Sequence, residues 1–310
     1  MAENAIFIEK VSKRFGDRAV FEQCSYTIAK GSIFGLVGLN GSGKTTLIRL
    51  LSGLLKPDEG RISVLGLVPW DHEENFFSRL GIVLESDGFT GNMDCRDNLK
   101  LFAAAKGLSW AEVESSIHAF WKDTFIDREI RSPKKKVKFF SRGQRVQCGL
   151  CRAFLGWPDA YFFDEPTVAL DVEAYDHFCG MVRFAKKRGS TILISSHQLS
   201  FIEELCDEVG VLDKKKLSRL AYVRDRSGAA QAQQWTLTAP GEGVYREIIE
   251  HQCGHTAVYS DNAWHFEVDW PETIIPEMVT LLCKAGCRIM EIRPEKQELK
   301  DKIRSHYEKI

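Results

Sequence analysis

Residues 38–46, GLNGSGKTT, restrict the fold of this chain more than any other segment. Gly38–Thr45 matches the pattern G-x-x-x-x-G-K-[ST], in which successive backbone N–H groups form a concave anion site at a helix N-terminus. The apolar segment Ile33–Val37 predicts a buried strand before the loop, and the leucines and isoleucine of residues 46–55 predict a helix after it. A glycine-rich turn without a ligand is the alternative, but strand, loop and helix together favour phosphate binding.

The loop residues are predicted to hold the phosphates of a nucleotide. Lys44 is expected to reach the outer phosphates, and the Thr45 hydroxyl is expected to ligate Mg²⁺. The glycines allow the main chain to approach the phosphates closely. The predicted phosphate-binding residues are Gly38, Asn40, Gly41, Ser42, Gly43, Lys44, Thr45 and Thr46.

Two adjacent acids end a second apolar segment, Ala160–Phe163. The carboxyl ends of parallel strands meet at one edge of a sheet, so Asp164 and Glu165 should lie beside the phosphate loop. Asp164 is predicted to support Mg²⁺, and Glu165 is predicted to be the general base that polarises the attacking water. An acidic pair after a strand is usually only the start of a loop, and the phosphate loop is what gives this pair a chemical role.

The predicted elements describe an α/β domain followed by a small α+β domain. Strands are predicted at residues 5–8, 19–21, 24–28, 33–37, 160–163, 191–195 and 209–212, and a helical subdomain at about 89–157 contains helices at 98–105, 110–121 and 143–156. The first domain is placed at residues 1–224, a polar linker at 225–234 and the second domain at 235–310. The second domain has the order βαββαβ, which is the ferredoxin-like arrangement, and a terminal helix is predicted at 295–307.

Composition excludes several classes of protein. The formal net charge of -1 gives no reason to expect a nucleic-acid partner. No apolar run approaches the ~20 residues of a membrane span.

The nine cysteines, in a chain whose start does not resemble a signal peptide, are expected to be reduced cytosolic thiols. Cys148 and Cys151 are expected to pack inward; a structural metal is the alternative for them and for the tail group His251, Cys253, His255, Cys283 and Cys287.

Four further segments make residues 1 to about 220 resemble the nucleotide-binding subunit of an ATP-binding cassette (ABC) transporter. FSRGQ at residues 140–144 resembles the LSGGQ signature of that family, and VALD at 168–171 resembles its D-loop. Ser195-Ser196-His197 follows a predicted strand as the switch histidine of the family does, and Phe15 stands where an aromatic residue stacks on adenine. The resemblance implies a P-loop NTPase cassette with antiparallel N-terminal strands.

The resemblance also implies a mechanism. Two cassettes, identical or related chains, would form a head-to-tail homodimer or heterodimer around two ATP molecules. His197 would contact the γ-phosphate within its own subunit, whereas Ser141 and Gly143 would contact ATP held by the partner. Gln144 and Asp171 complete the nucleotide site that the resemblance assigns. Dimer closure would pull on a separate transmembrane permease at the cytoplasmic face of the membrane, and hydrolysis would reset it.

Departures from the family pattern leave alternatives open. Glu85 replaces the Q-loop glutamine and could face Mg²⁺; it is either a tolerated variant or a cause of altered coupling and slower hydrolysis. Arg142 replaces the first glycine of the signature pair, and Val168 replaces a serine or threonine in the D-loop.

The tail resembles the small C-terminal domains of bacterial exporter cassettes, which favours an exporter and a regulatory or self-association role for the tail. The alternatives are a soluble cassette ATPase acting on translation or DNA, a regulatory ATPase that uses ATP as a switch with little hydrolysis, and an importer, which the tail and the signature variant disfavour.

Overall fold

The computed structural model describes residues 3–71, 76–84, 88–133, 135–222, 233–239, 245–269, 271–294 and 303. The chain divides into two compact units, residues 1–224 and 225–310. The predicted site residue Glu85, linker residues 225–232 and the predicted terminal helix, apart from residue 303, lie outside the described residues. A strand of the second unit begins at Gln233, two residues inside the predicted linker.

Two sheets form the framework of the first unit. An antiparallel sheet has the order β2–β1–β4, with β1 at Asn4–Phe15, β2 at Arg18–Ala29 and β4 at Glu59–Val64. A six-stranded sheet has the order β5–β6–β7–β3–β8–β9 and is parallel except for the edge strand β9. Its strands are β3 (Ile33–Val37), β5 (Leu80–Val83), β6 (Ala160–Asp164), β7 (Thr191–Ser195), β8 (Glu208–Asp213) and β9 (Lys216–Tyr222).

The described helices of this unit are α1 (Lys44–Leu51), α2 (Cys95–Ala105), α3 (Trp110–Phe120), α4 (Phe125–Arg131), α5 (Arg142–Ala153), α6 (Val172–Lys187) and α7 (Leu199–Leu205). Helix α1 ends four residues before the predicted boundary. Gly53 follows it with φ of 74°, and a side chain there would meet the Pro69 carbonyl at 2.4 Å, so the chain turns away from the helix. Helices α4 and α7 and strands β4, β5 and β9 have no counterpart among the predicted elements, whereas α6 matches a helix predicted between the strands at 160–163 and 191–195.

The central strands β3, β6 and β7 are buried at every position. Parallel strands covered on both faces require continuous apolar sequence, and this is why residues 33–37 and 160–163 were recognisable. Asp164 pairs with Ser195, and Ser195 pairs with Leu36. This register brings the carboxyl ends of three neighbouring strands together at the place where the phosphate loop begins.

The second unit has the predicted ferredoxin-like order. Its elements are β10 (Gln233–Thr238), α8 (Tyr245–Cys253), β11 (Val258–Ser260), β12 (Ala263–Val268), α9 (Pro271–Lys284) and β13 (Glu291–Pro294). The antiparallel sheet has the order β11–β12–β10–β13, and its core includes Leu237, Trp264 and Met278. In the described parts of the chain, no helix has both the length and the apolar character needed to cross a membrane.

Candidate nucleotide site

A pocket of about 1230 Å³ in the first unit contains the phosphate loop and the acid pair. Its volume exceeds the range of about 300–1,000 Å³ that is usual for small-molecule sites. The predicted residues that line it are Phe15, Asn40, Gly41, Gly43, Lys44, Thr45, Thr46, Asp164, Glu165 and His197. The structure therefore brings together residues that are up to 182 positions apart in the sequence, from Phe15 to His197.

The phosphate loop has the backbone conformation that its glycines permit. Gly41 and Gly43 have φ of 78° and 111°, in the left-handed region that other residues rarely adopt. At Gly38 a Cβ atom would lie 2.6 Å from Ser42 Oγ and 2.8 Å from the Leu212 carbonyl oxygen, so only glycine fits. Gly43 is also the N-cap of α1, and no described side chain caps that helix, so its first N–H groups are available to an anion.

Lys44 and Ser42 show that the loop is suited to phosphate. Lys44 is 8% exposed, and its Nζ donates to the carbonyl oxygens of Gly38 at 2.8 Å and Leu39 at 3.4 Å, so the ammonium lies within the loop. Among the described residues, the buried Ser42 Oγ has no hydrogen-bond partner. A buried hydroxyl without a partner is costly, and a phosphate oxygen would satisfy it.

Two of the three predicted magnesium ligands, Thr45 and Asp164, meet directly. Thr45 Oγ1 donates to Asp164 Oδ2 over 2.6 Å, and the second oxygen, Asp164 Oδ1, accepts a bond of 2.5 Å from Ser195 Oγ. A hydroxyl and a carboxylate are the hard oxygen donors that Mg²⁺ prefers. The donor set therefore fits a magnesium ion that is shared with nucleotide phosphates.

Glu165 and His197 form a pair at the side of the pocket. His197 Nδ1 lies 2.8 Å from Glu165 Oε2, and because a carboxylate oxygen accepts, Nδ1 is the donor. The His197 side chain is 61% exposed, whereas that of Glu165 is 28% exposed. Glu165 has φ of 49° immediately before Pro166, a strained conformation of the kind that is concentrated at functional sites.

Basic side chains that sequence analysis did not assign to the site also line the pocket. Among the described residues, the lining contains Arg18, Arg142, Arg145 and Arg152 besides Lys44, against the carboxylates of Asp164 and Glu165, so it favours a polyanion. Arg18 Nη2 donates to the Gly41 carbonyl over 3.0 Å and thereby supports the loop. Three positions separate Arg18 from Phe15, but only the hairpin geometry brings it to the loop, so no local pattern could have identified it.

Of the signature and D-loop residues, Arg142 and Val168 line this chain's own pocket, whereas Ser141, Gly143, Gln144 and Asp171 are not part of its lining. Ser141 caps α5 in a capping box with Gln144, and Asp171 caps α6 by accepting from the Ala174 N–H over 2.8 Å. At Gly143 a Cβ atom would lie 2.3 Å from the Ala169 carbonyl oxygen, so the two segments are in close backbone contact.

Comparison with known proteins gives one consistent family. The model of the family described as "ABC transporter" matches residues 21–168. The chain is 32% identical over 303 residues to the Nod factor export ATP-binding protein I of Rhizobium sp. (strain N33), covering 96% of each chain. It is 34% identical over 208 residues to the bacitracin transport ATP-binding protein BcrA of Bacillus licheniformis, covering 67% of this chain and 66% of that protein.

Solved structures agree on the fold. The structure of an ATP-binding subunit of an ABC transporter superimposes with a TM-score of 0.64 at 27% identity, covering 69% of this chain and 89% of that one. A nucleotide-free ATP-binding cassette superimposes with a TM-score of 0.59 at 23% identity, over 70% of this chain and 91% of that one, which supports the fold alone.

Proposed function

Because this chain belongs to the ATP-binding subunits of ABC transporters, we propose that it hydrolyses ATP with Mg²⁺ to drive an exporter through a separate transmembrane permease. The observation that carries the proposal is the 2.6 Å bond between Thr45 and Asp164, since it joins the phosphate loop to the acid pair. Two relatives of this chain are named for the transport of bacitracin and the export of Nod factor, and the second name supports export as the direction.

Each residue around the phosphates has a distinct role in this proposal. Lys44 and the loop N–H groups would neutralise phosphate charge, and Thr45 with Asp164 would hold the metal, which would supply further positive charge to the phosphates. Glu165 would orient and deprotonate the attacking water, while its bond to His197 keeps the carboxylate at the pocket wall. The exposed Phe15 ring would stack on the adenine.

A second cassette would complete the site. Ser141 and Gly143 do not line the pocket of their own chain, and this placement supports their action on ATP bound by a partner. This chain carries both the phosphate loop and the signature segment, which are the two parts of such a composite site. The proposal therefore includes a homodimer, with a related chain as the alternative partner. The resulting assembly would lie at the cytoplasmic face of the membrane.

Phosphate release by the purified chain and its membrane complex tests the enzymatic proposal. The wild type should release phosphate in a Mg²⁺-dependent manner, and Glu165→Gln should lower turnover by a factor of about 100 or more while nucleotide binding remains. Equal turnover by Glu165→Gln would refute the assignment of the base. Very slow turnover by the wild-type complex would instead support the regulatory alternative, which Val168 favours because it lines the pocket without a hydroxyl.

Purification from membranes in mild detergent, followed by mass spectrometry, tests the transport proposal. A polytopic protein should co-purify with the chain. Recovery only from the soluble fraction, with ribosomal or DNA-bound partners, would overturn the exporter function and leave the ATPase.

The second unit, residues 225–310, is proposed to regulate the cassette dimer or to self-associate. The 96% coverage of the Nod factor relative supports this proposal, because the likeness extends beyond the cassette. Deleting these residues should change turnover or the oligomeric state measured by light scattering. A deletion variant that matches the full chain in both measurements, and in stability, would contradict a regulatory role.

A further inference from the structure

Ser195 is a buried polar residue at the centre of the site to which no function has been assigned. It is the last residue of β7, has 0% exposure and pairs in the sheet register with Asp164. Its Oγ donates to Asp164 Oδ1 over 2.5 Å and accepts from the Glu165 backbone N–H over 3.1 Å. One hydroxyl therefore contacts both members of the acid pair.

These two bonds determine how the acids are presented. With Oδ1 held by Ser195, the carboxylate of Asp164 is fixed about its terminal torsion and Oδ2 is directed at Thr45. The Glu165 N–H is held by the hydroxyl and the carbonyl oxygen of Ser195, at 3.1 and 3.2 Å, just where the backbone enters its strained positive φ. Partners behind a metal ligand commonly set its orientation and affinity.

We propose that Ser195 is a positioning residue of the ATP site: its hydroxyl orients Asp164 for the metal and anchors the backbone of Glu165. This inference rests on the proposed function, since it concerns the same magnesium nucleotide. Ser195 does not touch the nucleotide; it acts through the two acids.

The neighbouring residue Ser196 is a matched control. It is also 0% exposed, but its Oγ accepts from the Gln198 N–H over 3.0 Å, and no contact between this hydroxyl and the acid pair is found in the described residues. Each single replacement by alanine removes one buried hydroxyl, and the two positions are adjacent in the chain. Only the replacement of Ser195 should affect the metal.

The test is the affinity for ADP, measured by isothermal titration calorimetry in EDTA and across a series of Mg²⁺ concentrations. ADP avoids turnover and reports the metal separately from catalysis. Mg²⁺ should raise the affinity of the wild-type chain for ADP. In Ser195→Ala, the Mg²⁺ concentration at which half of this increase is reached should be about 10- to 100-fold higher than in the wild type, while the ADP affinity measured in EDTA should stay within about twofold of the wild-type value. Ser196→Ala should match the wild type in both values.

A second pair of variants keeps the test independent of folding. Ser195→Thr retains the hydroxyl and should keep the Mg²⁺ dependence of the wild type, whereas Ser195→Val, which is isosteric with the threonine variant but lacks the hydroxyl, should lose it. A Mg²⁺ dependence unchanged in both Ser195→Ala and Ser195→Val overturns the inference, and equal losses in Ser195→Ala and Ser196→Ala overturn it as well. Absence of ADP binding by the wild type overturns the proposed function itself, and with it this inference.

Discussion

Replacing Arg152 by methionine should loosen the end of α5 from the pocket edge. Arg152 Nη2 donates to the Ile82 carbonyl over 3.0 Å, and the guanidinium lies 4.8 Å from the ring centroid of Phe102 and 5.2 Å from that of Phe89. Ile82 lies in β5 and Phe102 in α2, whereas Phe89 lies between these two elements in the sequence. Because Arg152 itself belongs to α5, this one side chain connects β5, α2 and α5.

The magnitude follows from these contacts. A hydrogen bond from a charged donor contributes about 1.5–3 kcal/mol, and each cation–π contact about 0.5–1 kcal/mol. Methionine would recover about 1 kcal/mol through contact of its sulfur with the two rings. The variant should therefore lose about 1.5–4 kcal/mol, which lowers the Tm of a unit of this size by roughly 3–16 °C.

Urea unfolding followed by tryptophan fluorescence, together with calorimetry, measures the loss. Arg188→Met is the matched control, because Arg188 makes a cation–π contact of 5.5 Å with Trp157 at the end of α6 and should lose about 1 kcal/mol or less. Arg152→Lys should fall between the wild type and Arg152→Met, since it retains a charged donor without the planar group. A loss below about 1 kcal/mol in Arg152→Met would refute the reasoning, because it would mean that solvent already shields these contacts.

Three other measurements test separate features. Gly143→Ala should destabilise the chain by about 1–3 kcal/mol in urea, because the new methyl group would meet the Ala169 carbonyl at 2.3 Å; unchanged stability would show that the two segments are not in contact. Burial and the nearby charge of Arg152 lower the pKa of Lys106 from 10.5 to about 8. The unfolded chain then binds more protons than the folded chain between pH 8 and 10.5, so wild-type stability should rise with pH there by up to about 3 kcal/mol relative to Lys106→Met; parallel profiles would contradict the shift. Of the nine cysteines only Cys283 is exposed, and burial raises the pKa of Cys148, so Ellman's reagent should titrate one thiol quickly in the native chain and nine in guanidinium chloride.

Much of the fold was predictable because its signals are local. The phosphate loop requires glycine at Gly38, Gly41 and Gly43 for conformational and steric reasons, and these requirements are visible in the sequence. The central strands are buried at every position and mostly apolar because they are covered on both faces. The short helix α4 was missed because seven residues are too few for a helical pattern to be distinctive, and the edge strand β9 was missed because the consecutive exposed residues Ser218 and Arg219 interrupt its alternation of apolar and polar positions.

The basic lining of the pocket was not predictable for a different reason. Arg18 reaches the loop across a hairpin, and Arg152 reaches the pocket from the far end of α5. Arginine at such positions is usually a solvated surface residue, and its sequence context is the same whether or not a phosphate site lies opposite. The role of a long, flexible side chain depends on tertiary contacts that no periodicity encodes.

The role of Ser195 could be predicted from the sequence only in part. Both strands that place it, residues 160–163 and 191–195, were predicted, and the rule that ligands bind at the carboxyl ends of parallel strands was applied to Asp164. Applying the same rule to Ser195 also requires the strand order β6–β7–β3, which puts the end of β7 between the acid pair and the strand before the phosphate loop. The strands β6, β7 and β3 are joined through intervening helices or other strands, so their order is a property of the assembled core and not of any segment. The hydroxyl that contacts both acids is thus detectable only when strand ends are considered in spatial order.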